Sequence, residues 1–251
     1  MKKVFVTGAA SGIGRAIAEA MAEDKQHVIV SDLRADAAEE VCSEFREKGY
    51  SCEAYALDVS KQSAIDSVAE KFSDIDILIN NAGIQHVAKL EAFPAETWRL
   101  MTDILLVGPA MLTRALLPGM KEKNFGRIIN IGSIHALVAS PYKSAYVAAK
   151  HGLLGLSKVI ALETAEYDIT MNTICPSYVK TALVEKQIAA QAQEHNISED
   201  EVINNIMLTP MPKKSFIEMN ELADTVRFLS SSSARNITGQ TITLDGGWTA
   251  R

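Results

Sequence analysis

Cysteine is scarce and carries no pattern. Cys42, Cys52 and Cys175 are odd in number and lack the paired spacing of a metal site, so they read as reduced thiols, with neither a disulfide framework nor a bound metal expected. Positive charge is in deficit, with a net charge of -6. No basic field therefore favours nucleic acid or an anionic membrane, and a negatively charged ligand would depend on local cations. No apolar signal-peptide core precedes the first strand pattern, and no apolar run reads as long enough to span a bilayer, so a cytoplasmic protein is expected. Repeats, low-complexity tracts and linkers are also lacking. The 251 residues, 47% of them hydrophobic, read as one domain with a sizeable core.

What is present is an alternation. Short apolar runs suited to buried parallel strands fall at Lys3–Thr7, Val28–Asp32, Cys52–Leu57, Ile77–Asn80, Arg127–Ile131, Thr170–Ile174 and Thr241–Leu244. Between them, helical patterns cover Gly14–Glu23, Ala35–Lys48, Ser60–Phe72, Thr97–Lys123, Ser144–Tyr167 and Glu218–Ser230. Right-handed crossovers then place helices on both faces of a seven-stranded parallel sheet, an α/β, doubly wound, Rossmann-type domain. One stretch breaks the rhythm: 181–212 is helical in pattern, rich in Gln, Glu and Asn, and ends in Thr-Pro-Met-Pro. An insertion after the sixth strand lies beside the ligand crevice of such a fold, and a substrate lid is expected there.

The first strand runs straight into Thr7-Gly8-Ala9-Ala10-Ser11-Gly12-Ile13-Gly14 and then a helix. Glycines permit a tight turn and close approach of backbone to a pyrophosphate, and a helix N-terminus offers free N–H groups. The absence of Gly-Lys-Ser/Thr excludes a Walker loop. Gly8, Ser11, Gly12, Ile13 and Gly14 are thus candidate dinucleotide contacts. Asp32, followed by Leu33, ends the second strand, where a carboxylate can accept both ribose hydroxyls of NAD and repel a 2′-phosphate; it could also cap the next helix. Arg15 and Arg34 pull the other way, towards NADP. NAD is the expected cofactor. Asp58 and Val59 would lie at the adenine edge, and Asn81, Ala82 and Gly83, ending the fourth strand, near the central ribose.

Three residues carry the expected chemistry. Ser133 follows the fifth strand, and Tyr146 and Lys150 stand four apart on one helical face. A phenol with a pKa of about 10 is a poor base at neutral pH, and a nearby ammonium favours its phenolate. Tyr146 could then exchange a substrate hydroxyl proton while Ser133 bonds the reacting oxygen.

Taken in order, Thr7-Gly8-x3-Gly12-x-Gly14, Asn80-Asn81-Ala82-Gly83, Ser133, Tyr146-x3-Lys150 and Cys175-Pro176-Ser177 resemble the signature of short-chain dehydrogenases/reductases. The resemblance implies that Lys150 also holds the nicotinamide ribose, and that Pro176, Val179 and Thr181 flank the nicotinamide. Within the family, the stretches Asn81-Ala-Gly-Ile-Gln-His, His135-Ala-Leu-Val-Ala-Ser, Lys143-Ser-Ala-Tyr, Leu183-Val-Glu-Lys-Gln and Asp245-Gly-Gly-Trp-Thr-Ala-Arg are similar to bacterial D-3-hydroxybutyrate dehydrogenases. That likeness implies a substrate carboxylate gripped by Gln85, His135, Lys143 and Gln187, with Trp248 as an apolar wall. One ammonium among several donors is what a small carboxylate needs on leaving water. Family members are also similar in pairing the Thr97–Lys123 and Ser144–Tyr167 helices across a dimer axis, which implies a homotetramer.

Two departures stand out. Where many members carry an asparagine that holds a proton-relay water, this chain has Leu105, which can neither donate nor accept. Ser177-Tyr178 replaces the Gly-Trp frequent in hydroxybutyrate dehydrogenases. Rival readings are a reductase of 3-oxoacyl thioesters, a dehydrogenase of another small alcohol, and a dinucleotide-sensing module that has lost catalysis.

Overall fold

A computed structural model describes residues 1–250, apart from the side chains at positions 182, 183, 186, 187 and 194. Seven strands, β1 (Lys3–Thr7), β2 (His27–Asp32), β3 (Cys52–Ala56), β4 (Ile77–Asn80), β5 (Gly126–Ile131), β6 (Ile169–Pro176) and β7 (Thr241–Leu244), form one sheet in the order β3-β2-β1-β4-β5-β6-β7. Every pairing is parallel. Each expected strand is present: β1, β4 and β7 keep their expected bounds, and the other four shift by one or two residues.

The strands read as unbroken apolar runs because both faces are covered. Val4 and Val6 of β1 face one core while Phe5 faces the other, and Ile77, Ile79 and Leu78 of β4 divide in the same way. On the first face lie α1 (Gly12–Glu23), α2 (Ala35–Glu47) and a late helix, Met219–Ser230, which contributes Leu222, Val226 and Leu229 at helical spacing. The second face takes α3 (Gln62–Lys71), α5 (Gly108–Glu122) through Leu112, Leu116 and Met120, and α6 (Ser144–Glu163) through Leu156 and Ile160.

The helix expected at Thr97–Lys123 is not uniform. It begins as α4 (Ala95–Thr102), widens to a π-turn over Asp103–Val107, and resumes as α5. Pro109, in the first turn of α5, has no N–H to give the Leu105 carbonyl and would crowd it in a regular α-helix. Instead the Gly108 N–H reaches back to Asp103, the wider register of a π-turn. Gly108 itself is needed because a Cβ there would stand 2.6 Å from the Val59 carbonyl oxygen. Ala95–Glu122 as a whole is long and apolar enough to cross a membrane by length and composition, which corrects the expectation that no run reached that size. Its apolar residues Met101, Leu105, Leu112, Leu116 and Met120 are buried in the fold's own cores.

After β6 the expected excursion is helical: α7 (Ala182–His195), α8 (Glu199–Val202) and a π-turn over Ile203–Met207 precede the late helix, α9 (Met219–Ser230). Ile188, Val202 and Met207 form a small core of its own. The segment's far end is tied back to the fold. Val179 bridges Ile217, the Lys213 amide donates to the Gly246 carbonyl (3.1 Å), and the Ser177 hydroxyl donates to the Met211 sulfur (2.8 Å).

Candidate active site

Strand order reverses between β1 and β4, and ligands of such sheets sit in the crevice at the strands' carboxyl ends. Four loops meet there, following β1, β4, β5 and β6. Thr7 laces the first two: its hydroxyl oxygen accepts from the Asn81 and Ala82 amides (2.9 and 3.0 Å). The Asn81 side-chain amide in turn donates to the Thr7 and Gly8 carbonyls (2.9 and 3.1 Å). Asn81 therefore braces the turn as well as lining the crevice.

The turn itself suits a dinucleotide. Gly8 (φ 63°) and Gly12 (φ 54°) occupy the left-handed region. A Cβ on Gly14 would overlap the Gly8 carbonyl and the Asn81 amide, whereas one on Gly12 would meet nothing, so Gly12 fronts open space. α1 starts at Gly12 with no acidic residue in its first turn, and the exposed Ser11 hydroxyl makes no capping bond. Free N–H groups, a free hydroxyl and the positive end of a helix fit a pyrophosphate.

Asp32 lies where the sequence puts it, with its carboxylate accepting from the Ala10 amide (3.1 Å) and the Arg34 amide (3.3 Å). Leu33 beside it is exposed. Both candidate NADP cations are engaged elsewhere: Arg15 pairs with Glu44, and Arg34 with Asp36 at 2.8 Å. Asp58 accepts from the Ser60 amide and hydroxyl (2.9 and 2.6 Å), which holds the turn after β3, and Val59 is buried.

A cavity of about 290 Å³ opens beside this turn, and it gathers most of the remaining candidates. Ile13, Asn81, Gly83, Gln85, Ser133, His135, Lys143, Tyr146, Lys150, Pro176, Val179 and Thr181 all line it. Thr181 also caps α7, accepting from the Val184 amide at 3.3 Å. Trp248 stacks on Tyr178, a cavity residue, with ring centres 6.3 Å apart, and meets the His135 ring edge-on at 6.2 Å. Gln187 falls in α7, but its side chain lies outside the described residues.

Tyr146 and Lys150 come one turn apart near the start of α6. A polar ladder missed by the sequence reading anchors that helix to the sheet: Asn80 donates to Asn130 (2.9 Å), Asn130 to Ser157 of α6 (3.1 Å), and the Ser157 and Thr173 hydroxyls lie 2.8 Å apart. The signal available was an Asn at matching places in two adjacent strands, Asn80 and Asn130 being register partners. Lys150 is buried and donates to the Ile131 carbonyl at 2.6 Å, with its nitrogen 5.7 Å from the centre of the Tyr146 ring. Burial lowers the Lys150 pKa to about 8. Burial also pushes the Tyr146 phenol up, and the neighbouring Ser133 side chain offsets part of that rise. The expected depression by Lys150 is thus not seen in the protein alone, because the ammonium is turned to a carbonyl and desolvation dominates.

In the loop after β5, Ser133 opens a short 3₁₀ turn (Ile134–Ala136), its hydroxyl accepting from the His135 amide at 3.1 Å. Lys143, at the start of α6, comes within 3.2 Å of His135 Nε2 and forms no ion pair among the described residues. Burial lowers its pKa below the ordinary lysine value. Leu105, buried in the π-turn, also lines the cavity, with its Cδ2 3.1 Å from where a Cβ on Gly83 would stand.

A nucleotide-binding turn, a Ser-Tyr-Lys set at the adjoining strand ends and an all-parallel sheet define a dinucleotide-dependent oxidoreductase. The chain belongs to the short chain dehydrogenase family, whose sequence profile matches residues 2–193. It is 45% identical to the D-beta-hydroxybutyrate dehydrogenase of Rhizobium meliloti over 100% of this chain and 99% of that one. It is 42% identical to the uncharacterized oxidoreductase YxjF of Bacillus subtilis, covering 98% of each. Among solved structures, the actinorhodin polyketide ketoreductase with NADPH superposes with a TM-score of 0.92 at 27% identity, over 100% of this chain and 98% of that one.

Proposed function

We propose that this oxidoreductase interconverts (R)-3-hydroxybutyrate and acetoacetate with NAD. The observation that carries the reading is Lys143, a half-buried cation lining the cavity that holds Ser133 and Tyr146, with no carboxylate paired to it among the described residues. A reductase of neutral ketones has no use for that charge, whereas a short carboxylate leaving water requires it. The similarity to the Rhizobium enzyme supports the same substrate.

Ser11, Gly12, Ile13 and Gly14 would hold the pyrophosphate, Asp32, Leu33, Asp58 and Val59 the adenosine half, and Asn81, Ala82 and Gly83 the centre. Tyr146, Lys150, Pro176, Val179 and Thr181 would hold the nicotinamide half. When bound, NAD supplies the hydride acceptor, and its reduced form the donor. Asp32, together with the prior engagement of Arg15 and Arg34, supports NAD over the NADPH of the ketoreductase.

The chain's own work is to place the oxygen and move its proton. Ser133 donates to the reacting oxygen and steadies charge there. For acetoacetate reduction, the neutral Tyr146 phenol favoured by burial is the right donor. For oxidation, it must accept the hydroxyl proton, and a Lys150 ammonium turned towards it favours the phenolate. Lys143 and Gln85 take the carboxylate, and Gln187 joins as the lid settles. Lys143 and the Ser133–Tyr146 pair line the same cavity, and a 3-hydroxy acid, whose reacting carbon is a methylene away from the carboxylate, would reach both.

The test is a scan of NAD reduction over free short-chain hydroxy acids, neutral alcohols and 3-hydroxyacyl thioesters. Free (R)-3-hydroxybutyrate should be the best substrate; preference for a thioester or neutral alcohol would refute the reading. We also propose a homotetramer, since Val159 and Leu162 of α6 and Leu100 of α4 are exposed apolar residues. Sedimentation as a monomer at micromolar concentration would refute that.

A further inference from the structure

We infer that Asp245 is a positioning residue: its carboxylate ties a turn of two left-handed glycines, and that turn seats both Trp248, against the cavity wall, and the far stem of the 181–212 segment. Asp245 does not itself line the cavity. The inference rests on that cavity being the substrate site, as proposed above, and holds for whichever small substrate enters it.

The chain leaves β7 at Leu244 and turns at once through Gly246 (φ 58°) and Gly247 (φ 89°). Glycine populates this region freely, so the sequence permits the turn without holding it. What holds it is Asp245. One carboxylate oxygen accepts from the Gly247 amide (2.9 Å), and the other from the Thr249 amide and hydroxyl (2.8 and 2.7 Å). The Asp245 carbonyl also accepts from the Trp248 amide at 3.2 Å. The carboxylate is buried and pairs with no Lys or Arg among the described residues. Burial alone would raise its pKa, but the hydrogen bonds from Thr249 and Gly247 outweigh that and hold it below the ordinary aspartate value. Three charge-assisted hydrogen bonds are thus spent within residues 245–249.

Two surfaces rest on the turn. The first is Trp248, which stacks on Tyr178 with ring centres 6.3 Å and planes 20° apart. Tyr178 lines the cavity and also packs against the small core of Ile188, Val202 and Met207. The second is the stem Met211-Pro212-Lys213. The Gly246 carbonyl accepts from the Lys213 amide at 3.1 Å. A Cβ on Gly246 would stand 3.1 Å from Met211 Cε, and one on Gly247 3.4 Å from Pro212 Cγ, so the stem lies on the bare backbone of the turn. The turn therefore meets the segment at its far stem and, through Tyr178, at its core. Loosening it would free Trp248 and the stem together and leave the nucleotide turn after β1 as it is.

The test compares Asp245→Ala and Asp245→Asn in the full-length protein, with NAD and the best substrate from the scan above. Asparagine keeps the shape and one acceptor oxygen, which can still take the Thr249 amide, whereas alanine keeps neither. Asp245→Ala should raise KM for the substrate about tenfold. It should leave kcat and the KM for NAD within about twofold, since the proposed pyrophosphate and adenosine contacts lie at the β1–β3 end of the sheet. Asp245→Asn should recover most of the loss. Thr249→Val, which removes one hydrogen bond and no charge, should act in the same direction but more weakly, and it serves where alanine costs the fold.

The signature that a general weakening would not give is optical. Trp98 and Trp248 are the chain's two tryptophans, so in a Trp98→Phe background the emission reports Trp248 alone. Adding Asp245→Ala should move that emission to longer wavelength and open it to acrylamide quenching, well below the temperature at which the protein unfolds. Substrate and NAD KM values that rise together, or Trp248 emission that stays as in the background, would overturn the positioning role. A parent that turns over no substrate of the scan would sink the proposed function instead, and the emission alone would then decide whether Asp245 holds Trp248.

Discussion

Replacing Lys143 by methionine removes one charge and keeps most of the side chain's length. The parent site offers a carboxylate a half-buried ammonium held by His135, and no ion pair competes for it among the described residues. Truncating one member of a buried, hydrogen-bonded charge pair costs about 2–5 kcal/mol. Lys143 is only half-buried, so the lower part of that range applies, about 2–4 kcal/mol, or roughly thirty- to a thousandfold in kcat/KM. The assay is initial-rate NADH formation with (R)-3-hydroxybutyrate beside a neutral alcohol of similar size, 2-butanol. The carboxylate should lose the full factor and 2-butanol far less, with the difference mainly in KM. Equal losses would mean that Lys143 holds the start of α6 and has no special dealing with charge, and the substrate assignment would lose its main physical support.

Because burial lowers the Lys143 pKa, its charge is lost on raising the pH sooner than for an exposed lysine. KM for 3-hydroxybutyrate should therefore climb below the ordinary lysine range while that for 2-butanol does not, and a carboxylate KM that stays flat up to that range would contradict the argument. Asp32→Ala should narrow a strong NAD preference by removing repulsion of the 2′-phosphate; equal efficiency with NAD and NADP in the parent would show that Arg15 or Arg34 outweighs it. Leu105→Asn should lower stability by about 2–5 kcal/mol in a denaturant titration, since it removes a fully buried side chain. It should not speed turnover dramatically, and a gain of about a hundredfold would mean that the parent lacks a relay it needs.

Much of the fold was legible because each strand is buried on both faces and each helix on one. Unbroken runs such as Val4-Phe5-Val6 and spaced sets such as Leu222, Val226 and Leu229 leave little choice of period. The π-turn was not legible as such. Apolar spacing runs through Met101, Leu105, Leu112 and Leu116 without showing that the register widens, and Pro109 was its one visible cause. The membrane-length stretch Ala95–Glu122 was underestimated for a related reason: charged residues such as Arg99, Asp103 and Arg114 break it into short runs to the eye, although part of it is apolar enough on average.

The site divides along a different line. Ser133, His135, Lys143, Tyr146 and Lys150 all follow β5, in its loop and the start of α6, and parallel topology puts that connection at the carboxyl ends of the strands, where the cavity lies. Motif order could therefore gather them without any side-chain geometry. Which way each polar atom turns is a different question, settled by neighbours that no spacing reveals. Lys150 meets the Ile131 carbonyl, Asn81 spends its amide on the Thr7–Gly8 turn, and His135 Nε2 stands 3.2 Å from Lys143 Nζ. In each case a donor or acceptor expected to face a ligand is held by the protein, and the free capacity that remains belongs to fewer groups. Lys143 supplies the one positive charge among the expected carboxylate contacts, which is why a single substitution there is expected to separate charged from neutral substrates.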